Sequence, residues 1–141
     1  MTKEEKELLL KDICSRLPHR VKVNISASIK YDNYIPSIND ATIIALDLRN
    51  ERCNFNEFYW DKEIVNVRPY LRPMSSMTEE EKSTYLSYCE CDDGDYTGET
   101  IYFDTIESFD YLNQIHVDYR NLIPKGLALE APKGMYNIKT E

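Results

Sequence analysis

The sequence predicts an α+β domain, with three helices packed on a small, mainly antiparallel sheet. Three observations carry this prediction. Capping signatures open three helical stretches, at Thr2, Thr78 and Asp104. Hydrophobic alternation marks a strand at Val21, Val23 and Ile25. The segments then follow in the order helix, strands, helix, strand, helix, strand, which suits helices laid on an antiparallel sheet. A chain of 141 residues with 42% hydrophobic and 30% charged side chains fits one domain spanning residues 1–141.

Each element has its own warrant. Thr2 and Glu5 have the spacing at which hydroxyl and carboxylate satisfy free backbone N–H groups at a helix start. Leu10, Ile13, Cys14 and Leu17 follow at helical spacing, so Cys14 is expected to pack, and Pro18 ends the helix. After the first strand, SIKYDNYIPSINDA has the Asn, Asp, Pro and Ser punctuation of a turn or hairpin connection. ATIIALDL, residues 41–48, has the β-branched start of a central strand. RNERCNFNEFYWD has no clean period and is expected to be irregular. EIVNVRPYL reads as a strand that Pro69 ends or confines to an edge, because proline lacks a ladder donor.

Thr78 and Glu81 form a second capping pair, for a helix running to about Cys89 or Glu90. Glu79, Glu80 and Glu81 fall in its first turn, where the helix dipole favours negative charge. Asp92 to Gly98 reads as a turn and ETIYFD as a short strand. Asp104 with Glu107 opens a third helix whose apolar stripe is Ile106, Phe109, Leu112 and Ile115 or His116. The tail breaks at Pro124, Gly126, Pro132 and Gly134, leaving LALEA as a final strand.

Charge is unevenly placed. Residues 78–110 hold eleven acids against one base, Lys82, for a net −10, and the rest of the chain is +2. An acidic segment of this kind repels phosphate, so direct nucleic-acid binding is not expected there; a basic protein partner is. The N-terminus is too charged for a signal peptide, and no stretch approaches the roughly 18 apolar residues of a membrane span. The expected compartment is therefore the cytoplasm, with no membrane partner and with Cys14, Cys53, Cys89 and Cys91 reduced.

Few residues carry recognisable chemistry. DGDYTGETIYFD, from Asp93 to Asp104, has the outline of a calcium loop, with Asp93, Asp95, Thr97 and Gly98 in place. Its twelfth position is Asp rather than the longer Glu and its eighth is polar Thr100, so an acidic solvated turn is the expectation. Cys89 and Cys91 lack the second ligand pair of a structural zinc site, and His19 and His116 have no catalytic context. No glycine-rich phosphate loop, GxSxG or HExxH occurs. No catalytic residue, metal ligand or cofactor is assigned.

What remains is an excess of tyrosine, eleven in all, together with arginine, the favoured anchors of protein interfaces. The candidate interaction residues are Arg68, Tyr70, Arg72, Glu79, Glu80, Tyr119 and Arg120. An alternative places Arg68, Tyr70, Arg72, Tyr119 and Arg120 around the pocket of a small-molecule-binding protein or small enzyme. RPYLRPM is the sharpest puzzle, because ending a strand requires neither Arg68 nor Arg72.

Three stretches, MTKEEKELLLKDICSRLPHRVKV, VRPYLRPMSSMTEEEK and IESFDYLNQIHVDYRNLIPKGLALEAPKGMY, resemble a widespread family of uncharacterised small proteins. These are encoded in the genomes of gut anaerobes and in their phages and mobile elements. The resemblance covers both ends and the middle of the chain, leaving out residues 27–62 and 90–103. It implies a cytoplasmic accessory protein of phage or mobile-element origin and assigns no activity or ligand.

Overall fold

The computed structural model describes residues 1–25, 28–30, 33–35, 38–55, 62–63, 66–92, 98 and 100–136. The architecture is α+β, with three α-helices and a mainly antiparallel mixed sheet among the described residues. Helix α1 (Lys3–Arg16) starts where the Thr2 Oγ1 accepts the Glu5 N–H at 3.1 Å, and gives way to a 3-10 turn at Leu17–His19 that contains Pro18. Its buried stripe is Leu9, Asp12, Ile13 and Arg16. That is one position away from the apolar stripe expected, and Cys14 is exposed. The helix is rotated because Asp12 and Arg16, four residues apart, pair with each other and can enter the interior as a neutralised couple.

The strands are β1 (Lys22–Ile25), β2 (Ser28–Lys30), β3 (Asn33–Ile35), β4 (Ile38–Asp47), β5 (Arg52–Phe55), β6 (Lys62–Glu63), β7 (Val67–Leu71), β8 (Glu90–Asp92), β9 (Ile101–Phe103) and β10 (Leu129–Glu130). Six of them form one sheet in the order β10-β7-β1-β4-β5-β6. All its neighbours are antiparallel except β10, which runs parallel to β7. β2 with β3, and β8 with β9, form separate antiparallel ribbons.

Two expectations about the sheet are corrected. Arg52–Phe55, expected to be irregular, is a strand with Cys53 and Phe55 buried, held against Ala45, Leu46 and their neighbours on β4. The paired partner supplies an order that the segment's own period does not announce. Pro69 neither ends β7 nor lies on an edge strand, for β7 sits between β1 and β10. Proline is tolerated because β10 pairs only with Tyr70 and Leu71, leaving β7 without a ladder on that side at position 69.

Alternation turns Val23 and Ile25 of β1 inward, with Ile43, Phe55, Val67 and Leu71 from neighbouring strands. Leu9 and Ile13 of α1 cover them, and Leu122 and Leu127 close the layer. Helices α2 (Glu79–Tyr88) and α3 (Ile106–Gln114) build a second apolar cluster from Met77, Leu112, Ile115 and Val117, with Tyr85, Tyr111 and Tyr119 partly buried against it. The cap of α3 also differs from expectation. Thr105 and Ser108 make the reciprocal pair, one residue beyond Asp104 and Glu107, because Asp104 accepts the Tyr85 hydroxyl and the Ser108 Oγ instead.

Candidate functional site

Arg72 follows directly on β7, and its backbone bridges to the end of α3: its N–H donates to the His116 carbonyl at 2.7 Å, and its carbonyl accepts the Asp118 N–H at 2.8 Å. The guanidinium then grips Glu81 with two bonds, Nη2 to Oε1 at 2.7 Å and Nη1 to Oε2 at 2.8 Å. It also donates to the carbonyls of Ser76 and Ile115. Glu81 Oε1 accepts the Thr78 N–H at 2.9 Å, while Thr78 Oγ1 accepts the Glu81 N–H at 3.1 Å. One ion pair therefore joins the sheet, the start of α2 and the end of α3. The Arg72 hydrogen bond holds the Glu81 carboxyl below its ordinary range despite burial, and the same bond raises Arg72.

The other arginines and tyrosines named as candidate interaction residues, and in the alternative as a pocket lining, are also engaged. Arg68 donates from Nε to the Gly126 carbonyl at 3.1 Å and from Nη1 to the Val67 carbonyl at 3.0 Å. Tyr70 is buried, and its carbonyl accepts the Tyr136 hydroxyl at 2.7 Å. Arg120 reaches Asp12 Oδ1 at 2.8 Å and lies 4.5 Å from the centre of the Tyr119 ring. Asp12 also takes two bonds from Arg16, whose Nη2 donates to the Val117 carbonyl at 2.7 Å. Sequence reasoning missed Asp12 and Arg16. Their signal was an acid and a base at i, i+4 beside Leu9 and Ile13, where a charge must be paired to be buried.

A cavity of about 740 Å³ lies between the start of α2 and the segment after β10. Arg72, Ser76, Thr78, Glu79, Glu80, Lys133 and Tyr136 are among its lining residues, whereas Arg68, Tyr70, Tyr119 and Arg120 are not. Behind it, the His116 ring stacks on Tyr136 with centroids 3.8 Å apart and planes 15° from parallel. Burial, with the charges of Arg16, His19 and Arg72, pushes this imidazole down to about 3.

The acidic segment has a different character. Glu79, Glu80, Glu90, Asp104, Glu107 and Asp110 are exposed. Between them, Leu86, Tyr88, Ile101, Tyr102, Phe103, Ile106 and Phe109 are exposed too, with Ile106 at 78%. Ile106 and Phe109 were expected in the buried stripe of α3; only its later half, Leu112 and Ile115, is buried. The apolar contacts of the helix gather in its C-terminal half; at its start Ser108 is buried and the Phe109 ring lies 5.1 Å from that of Tyr119, while Ile106 faces solvent. The surface is held together by the Tyr85 hydroxyl donating to Asp104 and by Thr105 Oγ1 donating to the Tyr88 carbonyl at 2.7 Å, with the Tyr88 and Tyr111 rings 5.7 Å apart. No lysine or arginine occurs from residue 83 to residue 115.

Asp93 to Thr97, the core of the calcium-loop outline, lies outside the described residues, as do Tyr59 and Trp60. Among the described residues there is no group of three or more His, Cys, Asp or Glu side chains placed to hold a metal ion, and no helix is long and apolar enough to cross a membrane. Comparison with protein-family models, with curated proteins and with solved structures finds no match.

Proposed function

We propose that the protein is a non-enzymatic interaction module, a cytoplasmic accessory protein of phage or mobile-element origin, that binds a basic partner protein through residues 78–110. One observation carries this reading: seven large apolar side chains are exposed among acids, on a segment with no basic residue from 83 to 115. An apolar centre within a polar rim is the anatomy of a protein interface. A rim of one sign steers a partner of the other and speeds their encounter. The resemblance to small proteins of gut anaerobes and their mobile elements supports the accessory role.

Capture from a gut-anaerobe lysate tests the reading, with the wild-type protein beside a Glu90→Lys, Glu107→Lys, Asp110→Lys variant. A basic protein held by the wild type at low salt should be released at high salt and never held by the variant. If no partner shows both sensitivities, the reading is wrong.

A further inference from the structure

We infer that the outer edge of β9 is a docking strand, which takes an extended, basic segment of the partner as a third strand of the β8–β9 ribbon. The inference rests on the interaction reading above and specifies how that surface is used. Successive side chains of a strand point to opposite faces. Ile101, Tyr102 and Phe103 are 50%, 48% and 52% exposed, so both faces of β9 are apolar and open. Tyr102 stands opposite Cys91 on one face, and Ile101 and Phe103 stand opposite Asp92 and Glu90 on the other. Among the described residues β8 is the only ladder partner of β9, so alternate N–H and C=O groups of β9 point outward along its free edge.

Open edges are ordinarily protected by lysine, proline or a bulge. From residue 83 to residue 115 there is neither lysine nor proline, and the charge that the sequence places there is wholly acidic. That choice identifies the occupant. A second copy of this chain would bring a segment of the same negative charge, a like-charge juxtaposition that disfavours edge-to-edge pairing. A segment of alternating basic and β-branched or aromatic residues meets the same edge with opposite charge and adds strand hydrogen bonds to apolar contact. The ribbon is also held in position before any partner arrives. Thr105 is tied to Tyr88 and Asp104 to Tyr85, so both strands continue into anchored helices, and less ordering is lost on binding.

The test titrates the full chain with three fluorescent peptides: alternating lysine and isoleucine, lysine alone at equal charge, and the alternating peptide N-methylated at every second amide. The inference expects the alternating peptide to bind at least about tenfold more tightly than either of the others. Phe103→Ser should abolish that advantage without altering the response to the lysine peptide. Equal binding of all three peptides would overturn the docking strand while leaving the acidic interaction face standing. Binding by none would overturn that face as well. A concentration-dependent dimer lost in Phe103→Ser would show the edge to be occupied by a second copy, against the inference.

Discussion

Arg16 is wholly buried and shares the Asp12 carboxylate with the partly exposed Arg120, so two cations depend on one buried anion. Removing one member of a buried pair leaves an uncompensated charge, which costs about 3–5 kcal/mol. Asp12→Ala should therefore lower stability by about that amount, read as a fall in the urea midpoint. Arg120→Ala should cost less, because its side chain keeps 19% exposure and Asp12 keeps Arg16. His116 sets the pH response. Its imidazole is held neutral, down to about 3 from an ordinary 6.5, first by burial and then by Arg16, His19 and Arg72. Below pH 6.5 the unfolded chain takes up a proton that the native state refuses, so stability falls with pH and this loss levels off near 3. Glu81, lowered by Arg72, adds a second loss in the same direction below its ordinary 4.5. His116 has φ 62, a conformation asparagine tolerates, so His116→Asn should fold. Denaturant titrations of this variant should lose the slope between pH 6.5 and 4.5 and keep the fall below it.

At the scale of elements, α2 shows how a local signal becomes a tertiary joint. Thr78→Ala removes one end of the cap and should cost about 1 kcal/mol. Glu81→Ala removes the other end and also strands Arg72, so its cost should be larger, about 3 kcal/mol, in the same urea measurement. Helix α3 shows the limit of periodicity. Ile106, Phe109, Leu112 and Ile115 or His116 share a stripe in the sequence, the apolar face expected of the helix. The helix buries what α1, α2 and the chain after it can reach, and Ile106 lies beyond them. Leu112→Ala should cost about 2–5 kcal/mol, while Ile106→Ser should change stability by no more than about 0.5 kcal/mol and still weaken partner binding. Thermal unfolding beside a binding titration separates the two effects.

Across the whole molecule, charge is segregated: net −10 lies in residues 78–110 and +2 in the remainder. Crowded acids repel one another in the folded protein, and salt screens that repulsion over a Debye length of about 8–10 Å. Added salt should therefore raise the melting temperature and weaken partner binding at the same time. Calorimetry and affinity measured across one salt series check the opposed signs. A common sign would mean that the acidic face does not govern binding.

The sequence by itself determined the α+β class, the starts of α1 and α2, the inward face of β1 and the layout of charge. These are properties of neighbours: a cap spans three residues, a strand face repeats every two, and charge is a sum over a segment. Only the tertiary structure decided what Arg72 faces, because Glu81 is nine residues away and the Ile115 carbonyl 43. It also decided the burial of Asp12, whose second partner Arg120 is 108 residues distant. RPYLRPM contains no sign that its second arginine is a clamp, and the stripe of α3 contains no sign that Ile106 stays in water. Periodicity states which residues are apolar; which of them are covered depends on surfaces brought from elsewhere in the chain.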